Sequence, residues 1–289
     1  MIDAHHHLWR YDPVELDWMT PDMAVLARDF TASDLEALAR GAGVVGTVAV
    51  QARRTVQETT RLLAIADAHP LILGVVGWAD ARDPDLEATV ERFARHPRFV
   101  GLREVLHDMP GVDHATSSEH RRLVAAAASV DAAYDLLVRP EHLPAATALV
   151  DAFPDVRFVV DHIGKPPRDA RAGEPVAERR DRWAAGMRAL AERPNVACKL
   201  SGLLTEGDWR RWRATEVTPF LDVVVEAFGP SRCMVGSDWP VCTLAAPYAE
   251  NLGLVARYAM ALSPDERRAV LEGTARTWYR LGQGEDGDA

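Results

Sequence analysis

Residues 44–80, VVGTVAVQARRTVQETTRLLAIADAHPLILGVVGWAD, hold two near-continuous apolar runs, VVGTVAVQA from Val44 and LILGVVGWAD from Leu71, with a segment of helical spacing between them. Val, Ile and Leu with little polar alternation is the pattern of a strand covered on both faces. Two such strands joined through a helix read as one βαβ unit of a parallel sheet. Six more runs of this kind flank the unit: MIDAHHHLW at the start, FVGLREV from Phe99, YDLLVRP from Tyr134, RFVVDHIG from Arg157, VACKLSGL from Val196 and CMVGSDWP from Cys233. Eight strands alternating with helices predict an α/β chain closed into a (β/α)8 TIM barrel; an open doubly wound sheet is the alternative, since periodicity cannot see closure.

The helical segments carry start signals. Ser33 with Glu36 predicts a capping box ahead of Leu35 and Leu38, with Gly41 beyond. Pro84 after Asp83, and Pro264 after Ser263 with Glu266 following, suit first helical turns. Alanine- and arginine-rich stretches near 121–130, 177–192 and 265–280 have high helix propensity, the last giving the barrel an extra C-terminal helix. The expected organisation is one barrel domain over 1–280 and a flexible tail over 281–289, polar and glycine-rich. Two long connections, 10–30 and 163–174, fall where a barrel's active-site face is expected.

The bulk properties exclude several classes. The chain has 289 residues and is 48% hydrophobic, compatible with a single large core. A formal charge of -10 disfavours nucleic acid and anionic membrane surfaces as partners. Three cysteines, Cys198, Cys233 and Cys242, are too few for a disulfide framework and lack zinc-finger spacing. No apolar stretch is long enough to span a bilayer, and the first residues lack the pattern of a signal peptide, so a cytoplasmic location is expected. No nucleotide cofactor is expected, and a homo-oligomer is left open.

Candidate chemistry sits at strand ends. On a strand, His5 and His7 share a face that points to the barrel axis, with His6 opposite. Two imidazoles one pleat apart suit a single metal ion or a single carbonyl; an expression-tag remnant is the bland alternative. His162 closes an apolar run in VVDHIGKP, where an Asp-His pair is costly to bury unless it is used or fully bonded. Asp238 in MVGSDWP stands where barrel enzymes carry their acids and bases, with helix capping as the alternative. Arg103, Arg139 and Lys199 also close strands, as cations able to bind substrate carboxylate or hydroxyl groups. Trp9, Trp18 and Trp239 are candidate apolar walls of a substrate site, or core. His69, His96, His107, His114, His120 and His142 read as solvated or structural.

The set DAHHHLW, GLREV, LLVRP, VVDHIGKP, VACKLSGL and MVGSDWP, in this order, resembles the amidohydrolase superfamily. More narrowly it is similar to the amidohydrolase-related (amidohydrolase 2) branch, which holds sugar-lactone hydrolases of the fuconolactonase and rhamnonolactonase kind and pyrone-dicarboxylate lactonases. The resemblance runs from Ile2 to about Tyr279 and includes the closing EGTARTWY. It implies that His5, His7, His162 and Asp238 are the catalytic set. Asp238 would take a proton from the attacking water. The histidines would either hold one divalent metal such as zinc, with Asp238, or polarise the carbonyl without one.

The sequence departs from the superfamily's two-metal pattern. Arg103 and Glu104 stand where a carboxylated lysine is sought, and Val138, Arg139 and Pro140 where a fifth-strand histidine is sought. The implied function is hydrolysis of a cyclic ester, a sugar aldono-lactone or related small molecule. Metal-dependent decarboxylation of an aromatic or muconate-type acid is the alternative on the same barrel, and would demand a firmly bound ion. A non-catalytic small-molecule-binding barrel is the alternative of another class, and would leave the four residues dispersed.

Overall fold

The computed structural model describes residues 1–168 and 174–282. Eight strands form, one at each predicted run: β1 (Ile2–His6), β2 (Gly46–Val50), β3 (Ile72–Gly77), β4 (Phe99–Glu104), β5 (Ala133–Leu136), β6 (Phe158–Val160), β7 (Val196–Leu200) and β8 (Cys233–Val235). They pair in parallel in chain order. His6 bridges in parallel to Trp239, and the Asp238 N–H donates to the His5 carbonyl at 2.8 Å. The sheet therefore closes on itself as a barrel, and the seam is made by the segments that carry candidate chemistry.

Helices α1 (Ala32–Gly41), α2 (Val56–Ala68), α3 (Leu86–Ala94), α4 (Ser118–Ser129), α5 (Leu143–Ala152), α6 (Val176–Ala191), α7 (Ala214–Phe228) and α8 (Tyr248–Ala259) follow the strands in turn. The cap of α1 differs from the sequence reading. Thr31, extended at φ -109, is the N-cap and shares a capping box with Asp34, while Ser33 and Glu36 already lie inside the helix. Both pairs have the same spacing, and Phe30, fixed by packing on Trp9 and Trp239, sets which one meets the helix start. Pro84 likewise precedes α3, whose N-cap is Asp85. Ser263 and Glu266 do form the expected box, opening α9 (Pro264–Arg268), which continues through a π-helical turn (Ala269–Gly273) into α10 (Thr274–Trp278).

The core has two parts. The larger lies between strands and helices, with Leu102, Leu136, Val160 and Cys198 among its strand residues. The smaller fills the barrel: Ile2, Ala4, Val48, Val50, Val76, Val100, Ala133, Val159, Ala197 and Met234 meet Ala275, Tyr279 and Leu281 from the C-terminal segment, which plugs the barrel's amino end. Barrel interiors are filled in layers from successive strands. Two residues further along β5 and β7, and one residue past the end of β6, the next layer is charged: Asp135, Lys199 and Asp161, joined by Arg103 of β4. Most of the predicted tail (residues 283–289) and residues 169–173 of the second long connection lie outside the described residues.

Candidate active site

Strict alternation along β1 would place His5 with Asp3, and Asp3 faces outward, accepting from the Tyr248 hydroxyl of α8 at 3.0 Å. The pairing of β1 with β2 shifts register between Asp3 and His6. That irregularity re-aims the end of the strand. Ala4 packs inside the barrel, and past the shift the Nε2 atoms of His5 and His7 lie 3.2 Å apart. His6 turns outward to the Thr47 hydroxyl at 3.0 Å.

Asp238 lies three residues beyond β8. Gly236 is required in between, because a Cβ there would stand 2.9 Å from the His5 Cβ and 3.1 Å from that of Ser201. The buried Asp3 carboxylate fixes the turn by accepting from the Ser237 N–H (2.8 Å) and hydroxyl (2.7 Å). Burial pushes the Asp3 carboxyl up to about 6, against those hydrogen bonds. Asp238 itself adopts the left-handed conformation, φ +56.

Left-handed backbone also carries His162. The sequence places it at the end of strand six, but β6 stops at Val160, and His162 (φ 54, ψ 40), Ile163 (φ 47, ψ 32), Gly164 and Lys165 run left-handed in succession. Such residues cost about 1–2 kcal/mol each for side chains with a Cβ and persist where the surroundings over-determine them. The indole of Trp183 donates to the Ile163 carbonyl at 2.7 Å, and His162 Nδ1 meets the Ser201 hydroxyl at 2.8 Å. Gly202 (φ +60) lets this turn approach, since a Cβ there would sit 2.7 Å from the His162 Cβ. Gly202→Ala is therefore expected to lose about 1–3 kcal/mol of stability and to displace the imidazole. Thermal unfolding together with turnover checks this, and a variant normal in both would contradict it.

The structure thus brings together all four residues of the expected catalytic set. Asp238 Oδ1 lies 3.4 Å from His7 Nε2, 3.7 Å from His162 Nε2 and 3.8 Å from His5 Nε2. The set is almost sealed, with exposures of 0% (His5), 6% (His7), 5% (His162) and 4% (Asp238). Burial holds His5 well below its usual value and His162 down to about 4, so both imidazoles are neutral near pH 7. Burial alone would raise the Asp238 carboxyl, but His162, His7 and Lys165 outweigh it and keep it below the ordinary carboxylate range. His7 Nδ1 faces the Val50 carbonyl at 2.8 Å. A carbonyl only accepts, so the ring nitrogen facing it carries a proton.

The cations fall into two groups. Arg103 and Lys199, expected at the mouth, lie deeper, beneath the histidines. Arg103 reaches Asp161 at 2.9 Å and the Gln51 carbonyl at 2.5 Å; Lys199 reaches Asp135 at 2.5 Å, Asp161 at 2.9 Å and His5 Nδ1 at 3.2 Å. The reason is register: Lys199 follows Ala197 on the inward face of β7, so it continues the barrel's filling. Arg139 is at the mouth, 3.9 Å from Glu206. Trp9 and Trp239 are core residues that flank Phe30 at 5.4 and 5.3 Å, and Trp18, partly buried, packs on Trp9 at 6.1 Å; these contacts seat the 10–30 connection.

Asp135, Asp161, Ser201, Lys165 and Glu206 are absent from the sequence-derived set. A lone carboxylate inside an apolar run, as in YDLLV and VVDHI, is the signal that could have marked the first two. His107, read as solvated or structural, stands near Lys165, Arg139, Arg103 and His162, and burial, followed by the charges of Lys165, Arg139 and Arg103, lowers it to about 2.

An eight-stranded parallel barrel with a His/Asp cluster at the carboxyl ends of its first, sixth and eighth strands defines a barrel hydrolase. The chain belongs to the amidohydrolase family, whose model matches residues 2–281. It is 41% identical over 286 residues to an L-fucono-1,5-lactonase of Burkholderia multivorans, covering 97% of this chain and 96% of the relative. A second L-fucono-1,5-lactonase, from Burkholderia ambifaria, is 36% identical over 284 residues, with 97% and 95% covered. The crystal structure of an amidohydrolase from Burkholderia multivorans with bound zinc superposes with a TM-score of 0.89 at 41% identity, covering 97% of this chain and 99% of that one. No described helix is long and apolar enough to cross a membrane.

Proposed function

We propose that this chain hydrolyses a sugar aldono-lactone of the L-fucono-1,5-lactone type, with Asp238 as general base. The observation that carries the reading is the convergence of His5 Nε2, His7 Nε2 and Asp238 Oδ1 within 3.8 Å of one another. Its support from outside the chain is the two lactonases to which it is similar along nearly its whole length.

The same three atoms fit a divalent metal. Two imidazole nitrogens 3.2 Å apart beside a carboxylate need a proton or a cation between them. His5, His7 and Asp238 would hold the ion, with His162 alongside. Bound there, zinc would supply a positive centre that polarises the lactone carbonyl.

The chain's own residues do the rest. Asp238, kept ionised by its neighbours, accepts a proton from the water whose oxygen bonds to the carbonyl carbon. His162, held by Ser201, lines the site with its Nε2 3.7 Å from Asp238 Oδ1. When the ring C–O bond breaks, protonated Asp238 returns its proton to the departing alkoxide, leaving the hydroxy acid. The sealed position of the cluster limits competing water.

Purified protein is expected to release acid from six-membered aldono-lactones in an indicator assay, and to lose most of that rate after exhaustive chelation, with recovery on adding zinc. Failure to open any aldono-lactone with metal present, or release of carbon dioxide from an aromatic acid instead, would overturn the reading.

A further inference from the structure

Four successive connections after β4, β5, β6 and β7 each place one polar side chain at a single corner of the barrel mouth: His107, Arg139, Lys165 and Glu206. Lys165 Nζ meets Glu206 Oε1 at 2.6 Å, and Arg139 approaches Glu206 Oε2 at 3.9 Å. The corner adjoins the catalytic cluster: the Lys165 N–H donates to the His162 carbonyl at 2.9 Å, and Lys165 is near enough to lower the Asp238 carboxyl. Burial would raise the Glu206 carboxyl, but Lys165 and Arg139 outweigh it and keep it ionised. His107 Nδ1 is buried with no hydrogen-bond partner among the described residues.

A salt bridge serving only to strut two loops is a poor use of these groups. Lys165 and Glu206 have side-chain exposures of 15% and 12%, where desolvation offsets most of the attraction and an apolar pair would hold the loops as well. Arg139 at 3.9 Å is too far for a good hydrogen bond to Glu206 and keeps donors to spare. The corner therefore offers a carboxylate acceptor flanked by cationic donors, with an unfilled imidazole nitrogen beside them.

We infer that His107, Arg139, Lys165 and Glu206 form a subsite for the hydroxyl groups of an uncharged, polyhydroxylated lactone, and that Glu206 selects against lactones bearing a carboxylate. A vicinal diol is the complement of such a corner: one hydroxyl donates to Glu206 while its oxygens accept from Lys165 and Arg139. A ring carboxylate can only accept, and would face Glu206 with like charge. The inference rests on the lactonase reading and names the substrate class within it.

The test compares three δ-lactones on the metal-loaded enzyme: an aldono-lactone with its ring hydroxyls, unsubstituted δ-valerolactone, and a six-membered lactone bearing a ring carboxylate. The Glu206→Gln variant is expected to raise KM for the hydroxylated lactone with kcat less affected. Its selectivity for the hydroxylated over the unsubstituted lactone, as the ratio of kcat/KM, should fall about tenfold, the loss of one hydrogen bond to a charged group. Selectivity against the carboxylated lactone should relax in the same variant. Lys165→Met, a second route should the first fold poorly, is expected to lower the hydroxylated-to-unsubstituted ratio too. Equal losses on all three lactones, or a lower melting temperature with unaltered selectivity, would reduce the corner to a strut and overturn the subsite. A wild-type enzyme that opens none of them would instead overturn the lactonase reading.

Discussion

Replacing Asp238 with Asn is expected to lower turnover on aldono-lactones by about 10³-fold or more while the fold persists. General-base catalysis typically contributes 10²–10⁴-fold, and Asn would remove the proposed base and weaken a proposed metal ligand in one step. The fold should persist for two reasons. Asn is among the residues that best tolerate φ +56, the left-handed conformation found at this position. The bond from the residue-238 N–H to the His5 carbonyl, at 2.8 Å, belongs to the backbone and survives the change. Circular dichroism and thermal unfolding should therefore stay near wild type, and kcat should carry the loss. Near-normal turnover would remove Asp238 from the role of base. Asp238→Ala is a poorer probe, because it adds backbone strain at a left-handed position to the missing carboxylate.

The two properties that this experiment separates, backbone position and side-chain chemistry, are unequally legible in the sequence. Each βα unit announces its strand because a strand covered on both faces must be apolar throughout, so VVGTVAV and LILGVVG admit few other readings. Asp238 and His162 do stand at the mouth, but the strands to which their motifs assign them end at Val235 and Val160. Beyond Val160 the backbone turns left-handed, and nothing in DHIGK except its glycine signals that. The His5/His7 pair shows a different limit. Period-two alternation gives their shared face correctly, yet it would also put Asp3 inside, and only the register shift after Asp3 frees that carboxylate to brace Ser237 from outside.

Depth is the least legible property. A lysine at the end of an apolar run looks like a mouth residue, since the desolvation of an ammonium is invisible until its partners are known. Lys199 is fully buried because Asp135 of β5 and Asp161, just past β6, converge on it inside the barrel. Tyr279 closes the arrangement from the C-terminal segment, its hydroxyl donating to Asp135 at 2.7 Å and its ring lying 5.3 Å from the ammonium. Partners so far apart in the chain leave no local pattern.

Lys199→Met is accordingly expected to be the most destabilising single substitution in the interior, at about 3–5 kcal/mol, the usual loss when one partner of a buried ion pair is removed. Asp161 then keeps Arg103 as its cationic partner, and Asp135 keeps the Tyr279 hydroxyl but no cationic partner among the described residues. The pH dependence identifies the cause. In the native layer, burial would raise the Asp161 carboxyl, but Lys199, His5 and Arg103 outweigh it and hold it well below its usual value, while burial raises Asp135 to about 6 against the pull of Lys199. Without the ammonium both carboxyls rise. A folded-state value above the unfolded one means that the folded variant binds more protons, so its stability increases as pH falls through that raised value. The wild type responds in the opposite sense at Asp161, whose contribution is present above the unfolded value and is lost on acidification. The stability gap between the two proteins should therefore be widest at alkaline pH and narrow as pH falls, with the Asp135 share of the narrowing complete by about pH 6, its native value, as measured by denaturant unfolding at a series of pH values. A gap independent of pH would mean that Lys199 acts through packing alone. Adding Asp135→Asn to Lys199→Met should recover part of the loss at neutral pH, because it removes one of the two stranded charges; no recovery would place the strain at Asp161, against His5 and the catalytic cluster.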